Sequence, residues 1–353
     1  MSIKVHGLSY IHPNKDILFQ NISFSVSEGE KCAIVGNNGI GKSTLLSIIA
    51  GNTSAATGSV LCSTTPYIIP QHFGQFNSKT VAEALGVSDK LNALSSILGG
   101  NASMDDFTVL NDEWDIKERL QEAFARWEIG YVTPDMFMGD LSGGEKTKVF
   151  LAGMYFFHPS IILMDEPTNH LDIRGRALLN EFVRHTNDTV LIVSHDRVLL
   201  NILSSIYELS PSGIQFYPMC YSDYKKTVDA ERVSIEARVQ NQQKELAKAE
   251  KAAQKVMERQ QKHASRGEKQ SSKKCLARIA QGNLRDKSES STSRLKKIYQ
   301  ERLQAMKQDV NNLQTSISKH SSMQVVIGNS QLPENKRLLE LVNVTYQYSG
   351  RAI

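Results

Sequence analysis

The feature that most constrains this chain is a glycine-rich run, GNNGIGKST, from Gly36 to Thr44. It has the spacing G-x-x-x-x-G-K-[ST], and it follows the apolar run KCAIV at Lys31–Val35. A run typical of a helix, Ser43–Ala50, comes directly after it. In that order, a strand, a loop and a helix N-terminus turn backbone N–H groups toward phosphate oxygens. The sequence therefore predicts a phosphate-binding loop.

The side chains of this loop fit the binding of a nucleotide triphosphate with magnesium. Lys42 is expected to reach the β- and γ-phosphates, and the Ser43 hydroxyl is expected to hold Mg²⁺. A glycine turn of purely structural use is the alternative, but strand, lysine, hydroxyl and helix agree here. The predicted ATP-binding residues of the loop are Gly36, Asn37, Asn38, Gly39, Ile40, Gly41, Lys42, Ser43 and Thr44.

A second apolar run, Ile161–Met164, ends in two carboxylates, Asp165 and Glu166. Continuous apolar runs of four, here and at Val190–Val193, are typical of central strands covered on both faces. Asp165 is expected to face Mg²⁺, and Glu166 to orient the attacking water. Two acids after a strand could also simply begin a solvated turn, but the upstream phosphate loop favours the catalytic interpretation. Together the runs predict an α/β fold with a mostly parallel sheet.

The segment Leu141–Glu145, LSGGE, precedes a stretch typical of a helix, Lys146–Tyr155. Ser142 followed three residues later by Glu145 is also an ordinary helix-capping pattern. Two consecutive glycines, however, are more than a cap requires, and they would expose backbone N–H groups to an anion. Both interpretations remain open at this point.

The charge is unevenly distributed. The chain carries a net charge of +4, whereas residues 225–310 hold 22 lysines and arginines against 11 aspartates and glutamates. Apolar positions recur here at steps of three and four, which predicts two helices packed along a seam, with a turn or tip at Ser265–Ser293. A free coiled-coil spacer is the alternative, but a spacer needs no excess of one sign. The predicted seam residues are Ile235, Val239, Gln242, Leu246, Ala249, Ala253 and Val256, then Leu303, Met306, Val310, Leu313 and Ile317.

Other features of the sequence indicate the cellular compartment in which the protein is expected. No apolar run reaches the roughly 18 residues that a membrane-spanning helix needs, and the N-terminus lacks the pattern of a secretory signal. The four cysteines are far apart in the sequence and form no CxxC pair, which favours reduced thiols over disulfides or a zinc site. We therefore expect a cytoplasmic protein without a membrane partner.

The order of the motifs closely resembles that of the ATP-binding cassette family. The order is the phosphate loop, Gln71, LSGGE, the strand with two acids and then His195. The resemblance implies an ATPase with ATP and Mg²⁺ as its cofactors, Ser43, Gln71 and Asp165 as its metal residues, and Glu166 and His195 as its catalytic residues. It also implies that full activity requires a second cassette, whose signature segment closes over the γ-phosphate. That segment here is Ser142, Gly143, Gly144 and Glu145, and the family's interface loop falls at Asn169–Asp172, with Asp172 as its candidate interface residue. The base-stacking position falls at or near His12, with Tyr10 as the alternative.

One subfamily is especially similar. DEPTNHLD at Asp165–Asp172 and IVSHDR at Ile192–Arg197 resemble the F class, which carries two cassettes on one chain and no membrane domain. The resemblance implies that the basic helical hairpin is the linker between cassettes and that the partner is the ribosome, through its rRNA and tRNA. The expected domains are a cassette at 1–218, the linker at 219–336 and the first strands of a second, incomplete cassette at 337–353.

Three functions remain in competition. The leading hypothesis is an ATP-dependent ribosome-binding factor, acting either in general translation or in protection from an antibiotic. The alternatives are the energy-coupling ATPase of a membrane transporter and, less favoured, a DNA-associated cassette ATPase. Because LLELVNVTYQY at Leu338–Tyr348 resembles the start of the chain, we expect a truncated or fragmentary protein, whose second cassette is supplied by a longer chain or by a homodimer. The expected RNA contacts are Arg259, Arg266, Lys269, Lys273, Lys274, Arg278 and Arg285.

Overall fold

A computed structural model of the chain describes residues 2–12, 14–211, 213–271, 297–298, 301–311, 347–348 and 351–352. The chain divides into two compact units. The first, which we call the α/β unit, contains residues 1–224 and 325–353. The second, the helical unit, contains residues 225–324.

Strands and helices interleave along the described part of the chain. The strands are β1 (Ile3–Ile11), β2 (Ile17–Val26), β3 (Lys31–Val35), β4 (Thr57–Cys62), β5 (Tyr67–Ile69), β6 (Ile161–Asp165), β7 (Thr189–Val193), β8 (Ser205–Ser210), β9 (Gly213–Tyr217), β10 (Gln347–Tyr348) and β11 (Arg351–Ala352). The helices are α1 (Lys42–Ile49), α2 (Val81–Leu85), α3 (Ser88–Leu98), α4 (Met104–Leu110), α5 (Ile116–Arg126), α6 (Gly143–Phe157), α7 (Ile173–His185), α8 (Arg197–Leu200) and α9 (Tyr221–Ser271).

The main sheet of the α/β unit has the strand order β5-β6-β7-β3-β8-β9. All neighbouring pairs are parallel except β8 with β9, which are antiparallel. Strands β6 and β7 are buried along their whole length, as expected for the centre of a sheet that is covered on both faces. The predicted α/β fold with a mostly parallel sheet is confirmed.

A second, antiparallel sheet has the order β2-β1-β4. Its inward side chains, such as Val5 and Phe19, join one buried core with Ile34 of β3 and Leu45 of α1. Each large apolar side chain buried in this way contributes about 1.5–3 kcal/mol. This core fixes α1, and with it the glycine-rich loop, against the carboxyl end of the main sheet.

In the helical unit, α9 has the predicted seam. Val239 and Ala253 are buried, and the other five predicted seam residues of α9 are partly buried among exposed neighbours. A second helical segment at residues 301–311 buries Val310, and its Lys307 Nζ lies 2.9 Å from Glu250 Oε1 of α9. This partly exposed ion pair is one contact between the two helical segments.

The prediction of a turn or tip from Ser265 is wrong at its start. Helix α9 continues through Gly267 to Ser271, because one glycine inside a long helix costs only about 1 kcal/mol and does not by itself end it. The rest of the predicted tip, and the seam residues Leu313 and Ile317, lie outside the described residues.

The predicted start of a second cassette also lies mostly outside the described residues. Gln347–Tyr348 and Arg351–Ala352 form a short antiparallel pair. Among the described residues, no helix is long and apolar enough to cross a membrane.

Candidate functional site

The candidate site lies at the carboxyl edge of the main sheet. The glycine-rich loop follows β3, Gln71 follows β5 by two residues, Asp165 ends β6, and His195 follows β7 by two residues. Because these four strands are neighbours and parallel, their carboxyl ends meet at one edge. Residues from four distant parts of the sequence are thereby brought together.

Two glycines of the loop are required by its backbone. Gly36 and Gly41 have φ of 153° and 100°, values that side-chain-bearing residues rarely adopt. A Cβ on Gly36 would lie 2.4 Å from the carbonyl oxygen of Leu209, and a Cβ on Gly41 would lie 2.6 Å from a methyl carbon of Leu18. The loop therefore packs against β2 and β8 with no space for side chains at these two positions.

Lys42 begins α1, and its side chain folds back over the loop. Its Nζ donates to the carbonyl oxygens of Gly36 at 2.8 Å and Asn37 at 3.0 Å. Burial lowers the pKa of Lys42 below its usual value, while the charges of Glu166 and Asp165 raise it. The ammonium group is held at the loop, where it can exchange carbonyl partners for phosphate oxygens.

Asp165 has the environment of a metal ligand. Its Oδ1 is buried and has no hydrogen-bond partner within the described part of the chain. Burial raises the pKa of the Asp165 carboxyl, and the Ser43 hydroxyl, Lys42 and His72 oppose that rise. A buried carboxylate oxygen left without a partner beside a hydroxyl fits Mg²⁺, which prefers oxygen ligands.

Glu166 is held by the neighbouring strand and by His195. Its φ of 49° is unusual for a residue other than glycine, and its N–H donates to the carbonyl oxygen of Val193 at 2.8 Å. The backbone N–H of His195 donates to Glu166 Oε2 at 3.3 Å, and His195 Nε2 lies 3.4 Å from Oε1. Burial raises the pKa of Glu166, while His195 lowers it. The carboxylate is thus fixed in direction at the sheet edge.

These groups line one cleft with a volume of about 480 Å³. Most of the predicted site residues lie in its wall, whereas Gly36, Asn37 and Ile40 belong to the loop without lining it. Leu18 and Val193 line the cleft without having been predicted as site residues, and Asn169, which was expected in the interface loop, lines the cleft as well. The lining residues are His12, Leu18, Asn38, Gly39, Gly41, Lys42, Ser43, Thr44, Gln71, Asp165, Glu166, Asn169, Val193 and His195.

The two candidates for base stacking are placed differently. His12 is exposed and lines the cleft, whereas Tyr10 is half-buried in β1 and is not part of the cleft wall. The two rings meet edge to face, with 6.0 Å between their centroids. Of the two, His12 is the ring that a base in the cleft could contact.

The segment Ser142–Glu145 is described in full and does not line the cleft. Ser142 caps α6: its hydroxyl accepts from the N–H of Glu145 at 3.3 Å, and its own N–H donates to Glu145 Oε2 at 2.7 Å. A Cβ on Gly144 would lie 2.7 Å from the carbonyl oxygen of His170. Close packing therefore accounts for this glycine, and the glycine pair does not by itself indicate an anion site.

Asp172, the predicted interface residue, has a local role. Its Oδ1 accepts from the N–H of Gly175 at 2.9 Å and caps α7, and Lys148 Nζ lies 3.5 Å from the same oxygen. The hydrogen bond from Gly175 lowers the pKa of Asp172. These contacts fix the turn that follows Asn169.

Asn169, expected in the interface loop but not in the cleft, and Leu18, not predicted at all, differ in the signal they leave in the sequence. Asn169 follows the two acids closely, and its N–H donates to the carbonyl oxygen of Glu166 at 3.2 Å, so its position in the same turn was a usable signal. Leu18 lies on β2, far from every motif in the sequence, and it reaches the cleft only because β2 packs against the loop at Gly41.

Comparisons with known proteins agree with this geometry. Residues 19–169 match the family model described as ABC transporter. TlrC, a tylosin resistance ATP-binding protein of Streptomyces fradiae, is 29% identical over 65% of this chain and 46% of its own length. ABC transporter F family member 5 of Arabidopsis thaliana is 29% identical over 65% of this chain and 31% of its own length.

Two further matches extend the comparison. The ABC transporter ATP-binding protein YfmR of Bacillus subtilis (strain 168) is 27% identical over 95% of this chain and 50% of its own length. The chain thus spans half or less of these curated relatives. The solved structure of an ATP binding subunit of an ABC transporter shares the fold, with a TM-score of 0.51 at 19% identity over 65% of this chain and 94% of that one. The chain therefore has the fold of a P-loop ATPase cassette, and its residues 19–169 are similar to the ABC transporter family.

Proposed function

We propose that this cassette binds Mg-ATP in the 480 Å³ cleft and hydrolyses it when a second cassette covers the γ-phosphate. The observation that carries the proposal is the placement of Lys42, Asp165 and Glu166 in the wall of one cleft. A cation, a metal-binding carboxylate and a second carboxylate held by a histidine are what phosphoryl transfer to water needs.

Each group has a distinct task in the proposed reaction. The loop amides and Lys42 hold the β- and γ-phosphates, and Glu166 orients the attacking water while His195 contacts the γ-phosphate. Mg²⁺, when bound to Asp165, Ser43 and Gln71, supplies positive charge that neutralises the phosphate oxygens. The raised pKa of Glu166 suits a group that polarises water and accepts part of its proton.

The second cassette enters the proposal because the cleft is open toward solvent on the side of His195, whose side chain is 61% exposed. The capped start of α6 at Ser142–Glu145 lies outside the cleft of its own cassette. A helix N-terminus attracts anions, so the same segment of a partner can complete the site. The partner is a second cassette in a longer chain or another copy of this chain.

Mixing two inactive variants tests this composite site. Glu166→Gln removes the water-orienting carboxylate, and Ser142→Arg blocks the signature segment. We expect each variant alone to be nearly inactive, because every self-pair carries two broken sites. An equimolar mixture should recover ATPase activity, because a mixed pair combines the intact cleft of one copy with the intact signature segment of the other.

The wild-type chain provides the control for this experiment. Its ATPase rate per chain should rise with protein concentration until pairing saturates. A mixture no more active than the separate variants, together with a wild-type rate per chain that is independent of concentration, would refute pairing between two copies of this chain.

We further propose that the helical unit contacts RNA and that the whole protein acts on the ribosome, in translation or in protection from an antibiotic. The supporting observation is a row of exposed cations on α9, which we call the basic stripe. Each of the first four cations comes two residues after a seam residue. It therefore lies about 200° around the helix from that residue, on the side opposite the seam. The stripe consists of Lys244, Lys248, Lys251, Lys255, Arg259 and Lys262.

The geometry of the basic stripe suits a phosphate backbone. Steps of three and four residues place successive cations about 5 Å apart along roughly 27 Å of helix. Among the described residues, Lys244, Lys248, Lys251, Lys255 and Arg259 form no ion pair. The sixth member of the stripe, Lys262, does have a contact of its own. Of the RNA contacts expected from the sequence, Arg259 has a described side chain and belongs to the stripe, whereas the others lie beyond the described side chains.

Salt dependence tests the proposed RNA contact. The triple variant Lys248→Gln, Lys251→Gln, Lys255→Gln should bind duplex RNA more weakly, and the slope of log K against log salt should fall by about three, one for each lysine removed from a phosphate. The matched control variant replaces three other exposed lysines, Lys4, Lys15 and Lys117, by Gln. It should leave both the RNA affinity and the salt slope unchanged. Equal effects in the two variants, or affinity insensitive to salt, would exclude the basic stripe as the RNA-binding surface.

The alternative is an energy-coupling ATPase subunit of a membrane transporter, which the name of the matching family favours. One relative, TlrC, is named for tylosin resistance, a property that either route could give. Recovery of rRNA with an ATP-locked Glu166→Gln chain supports the ribosome, and recovery of a membrane protein supports the transporter.

A further inference from the structure

The helices between β5 and β6 carry an exposed apolar surface, which we call the lobe patch and define by Met104, Phe107 and Trp114. Met104 is 85% exposed, and Phe107 and Trp114 are each 47% exposed. Met104 and Phe107 are three residues apart on α4 and share a face. The rings of Phe107 and Trp114 meet edge to face, with 6.3 Å between centroids. Soluble proteins seldom expose contiguous apolar surface of this kind without a use for it.

The backbone after α4 holds Trp114 in this position. Asn111 and Asp112 have φ of 48° and 60°, and two successive left-handed residues cost energy that the surrounding structure must offset. The N–H of Asn111 donates to the carbonyl oxygen of Phe107 at 3.1 Å and closes the helix. The reversal that follows brings Trp114 back beside Phe107, so the two rings form a preset surface.

Ion pairs fix the residue next to Trp114. The Glu113 carboxylate binds Lys90 and lies 3.5 Å from Arg119 Nη1, which is also 3.7 Å from Asp115. Lys90 and Arg119 are therefore engaged with the carboxylates of Glu113 and Asp115, whereas Lys117 is exposed and has no ion pair among the described residues. Lys90 and Arg119 thus add little free positive charge near the lobe patch, and the surrounding carboxylates outnumber the single Lys117.

The surroundings of the lobe patch are acidic. Residues 101–118 contain six aspartates and glutamates and one lysine. Asp105, Asp112 and Glu118 are exposed, and their carboxylates have no ion pair within the described part of the chain. An apolar centre with a negative rim complements a ligand that is both apolar and basic.

We propose that the lobe patch docks a basic, amphipathic segment of a partner protein. Apolar side chains of that segment cover Met104 and Trp114, arginines stack on the exposed rings, and lysines or arginines pair with the rim carboxylates. Nucleic acids and anionic membranes carry the same sign of charge as the rim and are disfavoured. The lobe patch shares no residue with the cleft or with the basic stripe, so this proposal does not depend on the proposed function.

A designed peptide tests the proposal with the full chain. The probe is a fluorescently labelled 18-residue helical peptide of leucine and lysine, with leucines at i, i+3, i+4 and i+7. Its binding is measured by fluorescence anisotropy. We expect saturable binding that weakens with salt. Trp114→Ser should raise Kd at least tenfold, and so should the charge reversal Asp105→Lys, Glu118→Lys. Phe107→Ser should repeat the effect of Trp114→Ser.

A matched charge reversal provides the control. Glu28→Lys with Glu181→Lys changes two exposed carboxylates elsewhere and should leave Kd within twofold of the wild-type value, with all variants melting as cooperatively as the wild type. Equal weakening by both double reversals would show general charge attraction and overturn the proposal. Peptide binding unaffected by Trp114→Ser and Phe107→Ser would overturn it as well. Stronger binding of duplex RNA or phosphatidylserine vesicles than of peptide, lost in Trp114→Ser, would assign the patch to that ligand instead.

Discussion

Replacing Glu166 by Gln is expected to reduce ATP turnover at least a hundredfold while ATP binding stays close to that of the wild type. The substitution keeps the size of the side chain and an oxygen that can accept the N–H of His195, now 3.3 Å from Oε2. It removes the charge that orients and polarises water, an effect typically worth about 10²–10⁴-fold. Single-turnover hydrolysis and equilibrium binding of ATP, measured on the same preparation, separate the two effects.

The variant should also remain longer in the paired, ATP-bound state, because hydrolysis is what ends that state. Glu181→Gln, at an exposed carboxylate outside the cleft, is the matched control and should hydrolyse ATP normally. Turnover of the Glu166→Gln chain within a few-fold of the wild type would mean that another group orients the water.

Replacing Lys42 by Ala is expected to weaken ATP binding itself, by tenfold or more. The ammonium group is held over the loop by Gly36 and Asn37, and charge-assisted hydrogen bonds to phosphate contribute about twice as much as neutral ones. Titration calorimetry with Mg-ATP measures the loss directly.

Lys31→Ala is the matched control, because Lys31, like Lys42, donates from its ammonium group to a backbone carbonyl oxygen. Lys31 Nζ donates to the carbonyl oxygen of Arg184 at 2.8 Å, and it does not line the cleft. This variant should bind ATP with wild-type affinity. If Lys42→Ala also bound ATP normally while melting like the wild type, the loop would not be the phosphate site.

The parallel sheet and its edge were predictable because they leave strong local signals. Strand β3 coincides with the apolar run Lys31–Val35, and the runs Ile161–Met164 and Val190–Val193 lie within β6 and β7. Predicted and observed ends of α1 differ by one residue, since the left-handed Gly41 sets its start. Local sequence thus determines the elements on which the cleft is built.

The antiparallel sheet and the local roles of site residues were not predictable in the same way. Strands β1, β2 and β4 pair through register shifts, and their exposed faces leave no continuous apolar run. The close approach of His170 to Gly144 joins residues 26 positions apart in the sequence. Such contacts depend on tertiary packing and cannot be read from the sequence. The sequence alone therefore does not distinguish an anion site from close packing as the reason for Gly144.

The helical unit shows the converse. Its seam is predictable from steps of three and four because helical periodicity is regular, and the buried Val239 and Ala253 lie on it. The start of the tip is less predictable, because Gly267 alone does not show whether the helix stops. A glycine commonly ends a helix by adopting the left-handed conformation, but α9 runs past Gly267 to Ser271.

The central claim is that the cleft bounded by the glycine-rich loop, Asp165 and Glu166 holds Mg-ATP. Titration calorimetry of the purified chain with ATP, with and without Mg²⁺, tests it most directly. We predict saturable binding of one ATP per cassette that is strengthened by Mg²⁺, with the metal effect lost in Asp165→Asn. A folded chain that takes up no nucleotide in the presence of Mg²⁺ would contradict the assignment of the site.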